Sequence, residues 1–148
     1  MKEFKKILFP VDLSKSSEKI LPYVQTVAQK FDSKIHLFFA ARVFEYFTSI
    51  YVPHPSINQF EKEIMEGAEK RLYEFVDEHF SEFPGTKTAV VAGDAAEKII
   101  EYIEDQNIDL VIMGTHGRKG MDKIIFGSVA ERVVKTSPVP VLVVNPFK

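Results

Sequence analysis

Five short apolar runs punctuate the chain: Ile7 to Val11, Ile35 to Ala41, Thr88 to Ala92, Leu110 to Met113 and Val139 to Val144. They are rich in Val, Ile and Phe and mostly lack the polar/apolar alternation of a half-exposed strand. Continuous runs of this kind predict parallel strands covered on both faces. Pro140 cannot donate to a ladder, so it marks the start or edge of the last strand.

Between these runs the apolar positions repeat at helical spacing. Ile20, Val24, Val27, Ala28 and Phe31 follow the Ser-rich start Ser14 to Ser17, with Pro22 tolerable only near the first turns or with a kink. Phe60, Ile64, Ala68, Leu72 and Val76 recur from Ile57 to about Phe80, behind a candidate capping box Ser56-x-x-Gln59. Asp94-x-x-Glu97 opens a third helix with Ala96, Ile99, Ile100 and Ile103 inward. A fourth begins near Ser128, carries Val129, Val133 and Val134, and stops before Pro138. The order β-α-β-α-β-α-β-α-β predicts an open five-stranded parallel sheet with helices on both faces. No repeat or linker interrupts it, so residues 1–148 read as a single domain. The connection Arg42 to Pro55 holds Phe44, Tyr46, Phe47, Tyr51 and Val52, which reads either as a lid or partner surface or as a cluster under its own loop.

Composition narrows the chemistry. The 148 residues are 45% hydrophobic and 27% charged, the mixture of an ordinary globular domain. A net charge of −2 argues against a broad nucleic-acid footprint. There is no Cys, which removes thiol catalysis, disulfides and Cys-ligated metal. No run approaches the roughly 20 apolar residues of a membrane span, and the N-terminal run is too short for a signal peptide. A cytoplasmic protein is the expectation.

The glycines are unevenly placed. Four of the seven lie between Gly114 and Gly127. Gly114 and Gly117 follow an apolar strand, where the chain is expected to turn sharply and let something approach the backbone. Gly127-Ser128 then opens a helix, whose N–H groups and positive dipole end form an anion site. With Arg118 and Lys119 nearby, this arrangement fits a phosphate chain; taken singly, a Gly-Ser step reads equally as a tight turn and a helix cap. The loop is neither a Walker A loop, G-x-x-x-x-G-K-[ST], nor the dinucleotide fingerprint G-x-G-x-x-G. The working parts of a fast phosphoryl-transfer enzyme are therefore missing from the pattern. Asp12, after the first strand, also stands where receiver domains carry a phospho-acceptor. The acid and lysine that such domains need at the ends of the third and fifth strands are replaced here by Gly93-Asp94 and Asn145-Pro146. His36, His54 and His79 lack ligand spacing, so no metal-only site is expected.

Gly114-x2-Gly117-x9-Gly127-Ser128, after a strand ending in Met113, resembles the nucleotide-binding signature of the universal stress protein family. Lys6 to Ser14, Asp109 to Gly117 and Ser137 to Val144 look like that family's first strand and acidic turn, fourth strand and loop, and closing strand. The resemblance covers essentially the whole chain. It implies a Rossmann-like α/β fold with strand order 3-2-1-4-5 and, in the glycine-signature branch, binding of ATP, with or without Mg. Carried over by position, it implies that Pro10 and Asp12 meet adenine and ribose and that Ala40 packs on the adenine. It assigns Met113 and Gly114 to the adenosine side, and Gly117, Gly127, Ser128 and Val129 to the phosphates. Ala40 is smaller than the valine often found there, and Ala130 stands where a hydroxyl residue can add a phosphate contact. The family further implies a homodimer through the fifth strand, Val141 to Val144, although Pro140 and Pro146 would equally protect a monomer's edge. The leading expectation is an ATP-binding signalling or stress-response module with unknown protein partners. The alternatives are a slow Mg-dependent ATP hydrolase using Arg118 and Lys119, and a dimeric scaffold that binds no nucleotide.

Overall fold

The computed structural model describes residues 1–42, 54–115 and 127–148, with residues 54–57 as backbone alone. Its elements are β1 (Lys6–Pro10), α1 (Lys15–Phe31), β2 (Lys34–Ala41), α2 (His54–His79), β3 (Lys87–Ala92), α3 (Ala95–Gln106), β4 (Leu110–Gly114), α4 (Ser128–Thr136) and β5 (Val141–Val144). All neighbouring strands pair in parallel in the order β3-β2-β1-β4-β5, the order implied by the resemblance.

The strands read as continuous apolar runs because both sheet faces are covered. In β1, Ile7 and Phe9 point to one face and Leu8 to the other, all with 0% exposure. The first face packs Ile7, Phe9 and Ile112 against Val24 of α1 and Leu72 of α2. The second packs Leu8, Phe38 and Val111 against Ile99 of α3 and Val133 of α4. Right-handed crossovers explain this division. The chain winds outward through α1 and α2, then recrosses to β4 and winds the other way through α3 and α4. Each such side chain contributes about 1.5–3 kcal/mol on burial.

The amino end of β1 anchors one helix on each face. Lys5 Nζ donates to the Phe31 carbonyl at 2.9 Å, and Lys6 Nζ to the Gln106 carbonyl at 3.1 Å. Cations thereby meet the negative ends of α1 and α3. Both helices stop at a left-handed residue, Asp32 (φ 51°) and Asn107 (φ 55°), types that tolerate this conformation.

Several helix details depart from expectation. The second helix starts at His54, so Ser56 lies inside it and the capping box does not form its end; Gln59 Nε2 donates instead to Glu63 Oε1. Phe60, in the same helix, is 37% exposed rather than inward. Pro22 sits well inside α1, yet the helix runs through it, because Pro22 and Glu18 are exposed and water can serve the Glu18 carbonyl that loses its donor. In α4, Ala130 rather than Val134 is buried: at 100° per residue, Val129, Ala130 and Val133 share an arc and Val134 falls at its margin. The last strand begins at Val141, just after Pro140, whose carbonyl accepts from Val111 N at 3.0 Å.

One polar side chain is built into the core. His36 of β2 is 1% exposed, with Nδ1 2.7 Å from the Tyr102 hydroxyl and, among the described residues, no partner for Nε2. Burial, and then Lys87, Lys6 and Lys34, lower its pKa from the ordinary 6.5 to about 4. Between those values the unfolded chain takes up a proton that the folded chain refuses, so stability falls as pH drops through this window. We predict that this residue contributes a loss of about 3 kcal/mol between pH 7 and pH 4. Urea unfolding across that range should show the slope in the wild type and lack it in the apolar pair His36→Leu/Tyr102→Phe; an unchanged difference between the two proteins would refute it.

Candidate functional site

β1 and β4 are neighbours, but the chain leaves them toward opposite edges of the sheet. Ligands of open α/β sheets bind beyond the carboxyl ends of strands at such a reversal. The residues that gather there come from β1, β2, β4 and the start of α4.

At the end of β1, Val11 N donates to the Phe38 carbonyl at 2.8 Å, carrying the ladder one step past Pro10. The chain then turns through Leu13, a non-glycine residue at φ 62°. Asp12 is half-buried in this turn. Its Oδ1 accepts from Ser14 N (2.9 Å), Ser14 Oγ (2.6 Å) and Ser17 Oγ (3.0 Å). Ser14 Oγ in turn accepts from Ser16 N, making Ser14 the N-cap of α1. From α2, Arg71 Nη2 donates to the Leu13 carbonyl at 2.7 Å.

At the end of β4 the expected sharp turn at Gly114 is absent. Gly114 pairs with Val144, and Thr115 N still donates to the Val144 carbonyl at 2.9 Å. Gly127 N donates to the Thr115 carbonyl at 2.5 Å, so the end of β4 and the start of α4 are joined directly. Gly127 is the N-cap of α4 with ordinary dihedrals (φ −68°, ψ 149°) and no side-chain cap. Ser128 is therefore the first helical residue rather than the cap. Unlike α1 and α3, this helix receives no hydroxyl or carboxylate from its own N-cap.

Residue parity sets the apolar part. Pro10 shares a face with Leu8, Ala40 with Phe38, and Met113 with Val111, and Ala40, Met113 and Val129 pack on the cluster beneath α3 and α4. Met113 is only 5% exposed and belongs to that buried cluster. Nine positions carried over from the resemblance thus divide clearly. Pro10, Asp12, Ala40, Met113, Gly114, Gly127, Ser128 and Val129 lie at the carboxyl end of the sheet or the start of α4. Gly117 lies outside the described residues, as do His116, Arg118, Lys119 and residues 43–53 of the aromatic connection.

An ion cluster at the end of β3 has no counterpart in the sequence pattern, where Asp94 reads as a helix start and as the residue that follows the third strand. Asp94 caps α3 by accepting from Glu97 N at 3.0 Å through Oδ2. Its Oδ1 accepts from Arg132 Nη1 of α4 at 2.9 Å, with Arg42 Nη2 at 4.0 Å. The Arg132 hydrogen bond, followed by the Glu97 N–H, holds the Asp94 carboxyl below the usual carboxylate range. No spacing rule joins positions so far apart in sequence. Just before it, Gly93 stands at φ 140° and donates N–H to the Ala41 carbonyl at 2.9 Å.

A Rossmann-like α/β protein whose strand order reverses between β1 and β4 is the class that this fold and geometry define. Comparison with known proteins is more specific: the universal stress protein family profile matches residues 3–145, and the chain belongs to that family. It is 33% identical to universal stress protein MJ0531 of Methanocaldococcus jannaschii over 150 residues, covering 96% of this chain and 82% of that one. It is 29% identical to universal stress protein MJ0577 of the same organism over 154 residues, covering 96% and 95%. The solved structure of MJ0577 superposes with a TM-score of 0.86 over 97% of both chains. A universal stress protein solved in complex with cAMP shares the fold, with a TM-score of 0.60 at 18% identity over 98% of this chain and 99% of that one. Among the described residues no helix is long and apolar enough to cross a membrane.

Gly93 gives a direct test of the strand-end geometry. A Cβ there would lie 2.8 Å from Lys98 Cε, at a dihedral that L side chains rarely adopt. Gly93→Ala is predicted to cost about 1–3 kcal/mol in urea unfolding. Adding Lys98→Ala removes the close contact but should not restore stability, since the φ strain remains. Full recovery in the double variant would show that the contact, not the backbone, requires glycine.

Proposed function

We propose that this universal stress protein binds ATP, as a member of the glycine-signature branch, and acts as a nucleotide-dependent signalling or stress-response module. One observation carries the reading: the Asp12 turn follows one of the two central strands, and the Thr115–Gly127 bond brings the start of α4 to the carboxyl end of the other. In this reading the 1–148 chain is one nucleotide-binding domain of a soluble, cytoplasmic protein. Asp12 accepts from ribose hydroxyls. Pro10, Ala40 and main chain at Met113 and Gly114 flank the adenosine. Gly117, Gly127, Ser128 and Val129 hold the phosphates, with Mg as an accompanying ion.

The physics favours an anion at α4. A helix N-terminus carries about half a positive charge, and its first N–H groups need acceptors. Gly127 supplies none from a side chain, so phosphate oxygens take that place and Ser128 adds a hydroxyl. An adenine nucleotide bound to a fold relative supports the ligand class. Nucleotide that binds only the folded state stabilises it and orders the surface shown to partners.

The exposed edge of β5 supports the second part of the reading, a homodimer. This strand pairs only with β4 among the described residues, and Leu142 on it is 39% exposed. Such an apolar edge invites pairing across a two-fold axis.

Two measurements test these statements. Protein denatured after purification should release adenine nucleotide, and millimolar ATP should raise Tm by several degrees, as expected at about 100 times Kd. Gly127→Val should abolish the shift while leaving the fold intact, because valine adopts the Gly127 dihedrals without strain. Absence of both bound nucleotide and an ATP-dependent shift would sink the proposal. Separately, the wild type should sediment as a dimer and Leu142→Asp as a monomer; an unchanged dimer would move the interface elsewhere.

A further inference from the structure

The turn between β1 and α1 contains more hydrogen bonds than the start of a helix requires. Ser14 already caps α1, and its carbonyl accepts from Ser17 N at 3.1 Å. Ser17 adds a second layer. Its side chain is buried, the residue being 3% exposed, and its hydroxyl serves Asp12 alone: it donates to Oδ1 at 3.0 Å and accepts from Asp12 N at 3.3 Å. A buried hydroxyl that both gives to and takes from one residue fixes that residue's backbone and side chain together.

The bonds are also one-sided. All three donors reach Oδ1, and among the described residues Oδ2 accepts from none. An acid used only to close the turn would gain by spreading its donors over both oxygens, as Asp94 does at α3. The backbone next to it is held in an unfavourable state as well. Leu13 occupies the left-handed region, which costs a non-glycine residue about 1–2 kcal/mol. Its side chain packs on the α1/α2 core, and Arg71 of α2 binds its carbonyl. Strain persists where the surroundings over-determine it, and here two elements do so around one carboxylate.

We propose that Ser17, with Ser14, is a positioning residue: it engages Oδ1 of Asp12 so that Oδ2 is presented, in a fixed orientation, to the two vicinal hydroxyls of the ligand's sugar. The inference rests on the assignment of Asp12 to ribose made above. It adds that recognition of the sugar hydroxyls depends on a buried serine that does not touch the ligand.

The test compares ATP with 2′,3′-dideoxy-ATP by calorimetry in the wild type, Asp12→Ala, Ser17→Ala and Ser17→Thr. The wild type should prefer ATP by about ten-fold, the value of a hydrogen bond to a charged group. Asp12→Ala should lose that preference. Ser17→Ala should also bring the two ligands to within about two-fold of each other, and Ser17→Thr, which keeps the hydroxyl, should restore the preference. A merely structural serine would weaken both ligands equally and leave their ratio intact, which overturns the proposal. If Ser17→Ala does not fold, Ser14→Ala, which deletes the shortest of the three donors to Oδ1, carries the same comparison with the same outcomes. A wild type that does not discriminate, or a discriminating Asp12→Ala, overturns the ribose assignment itself and this inference with it. Loss of preference in Asp12→Ala but not in either serine variant overturns the positioning role alone.

Discussion

The structure depends on burying β1 from both sides at once. Ile7 and Phe9 are sealed by α1 and α2, Leu8 by α3 and α4, and parallel neighbours satisfy the backbone on either edge. A strand so enclosed can leave the core only at its end, and it must do so immediately. The abrupt exit at Asp12 and Leu13 follows from that enclosure. β4, the other central strand, continues toward the opposite edge of the sheet, which makes the carboxyl ends of the two strands a switch point of the topology.

Among the described residues, the ends of these two strands offer chiefly main chain. The described part has one carboxylate, engaged on one oxygen, and a helix start without a side-chain cap. In the proposed reading these groups serve recognition. Fixed amides and an oriented acid hold polar groups in place, whereas fast phosphoryl transfer calls for a placed lysine and a metal-binding carboxylate.

Most of the architecture was legible because burial leaves a mark in composition. Unalternating Val/Ile/Phe runs mean two covered faces, and five such strands with intervening helical periods leave few topologies. The position of Asp12 was legible too, as an acid directly after a buried strand. What sequence could not show was how its bonds are shared between its two oxygens, since Ser17 reads as one more polar residue in a helix start. The Asp94–Arg132–Arg42 cluster was hidden for a different reason. Its members meet only after α3 and α4 pack together, and ion pairs carry no periodicity. The turn expected at Gly114 failed because glycine signals permission rather than conformation: there the ladder to β5 continues through Thr115.

These long-range contacts connect the two halves of the switch point. Arg132 lies one turn into α4, and its bond to Asp94 ties the start of that helix to the cap of α3 and the end of β3. Arg71 does the equivalent for the β1 turn from α2 on the opposite face. As a free-standing surface pair, the Arg132–Asp94 bridge would contribute little to stability. Its value lies in geometry, because α4 is short and rests on the sheet through few side chains, chiefly Ala130 and Val133. A small rotation of that helix would move every N–H at its start. Fixing both halves against separate helices makes the distance between the Asp12 carboxylate and the α4 terminus a property of the whole fold, so a ligand that spans them senses the packing on both faces of the sheet.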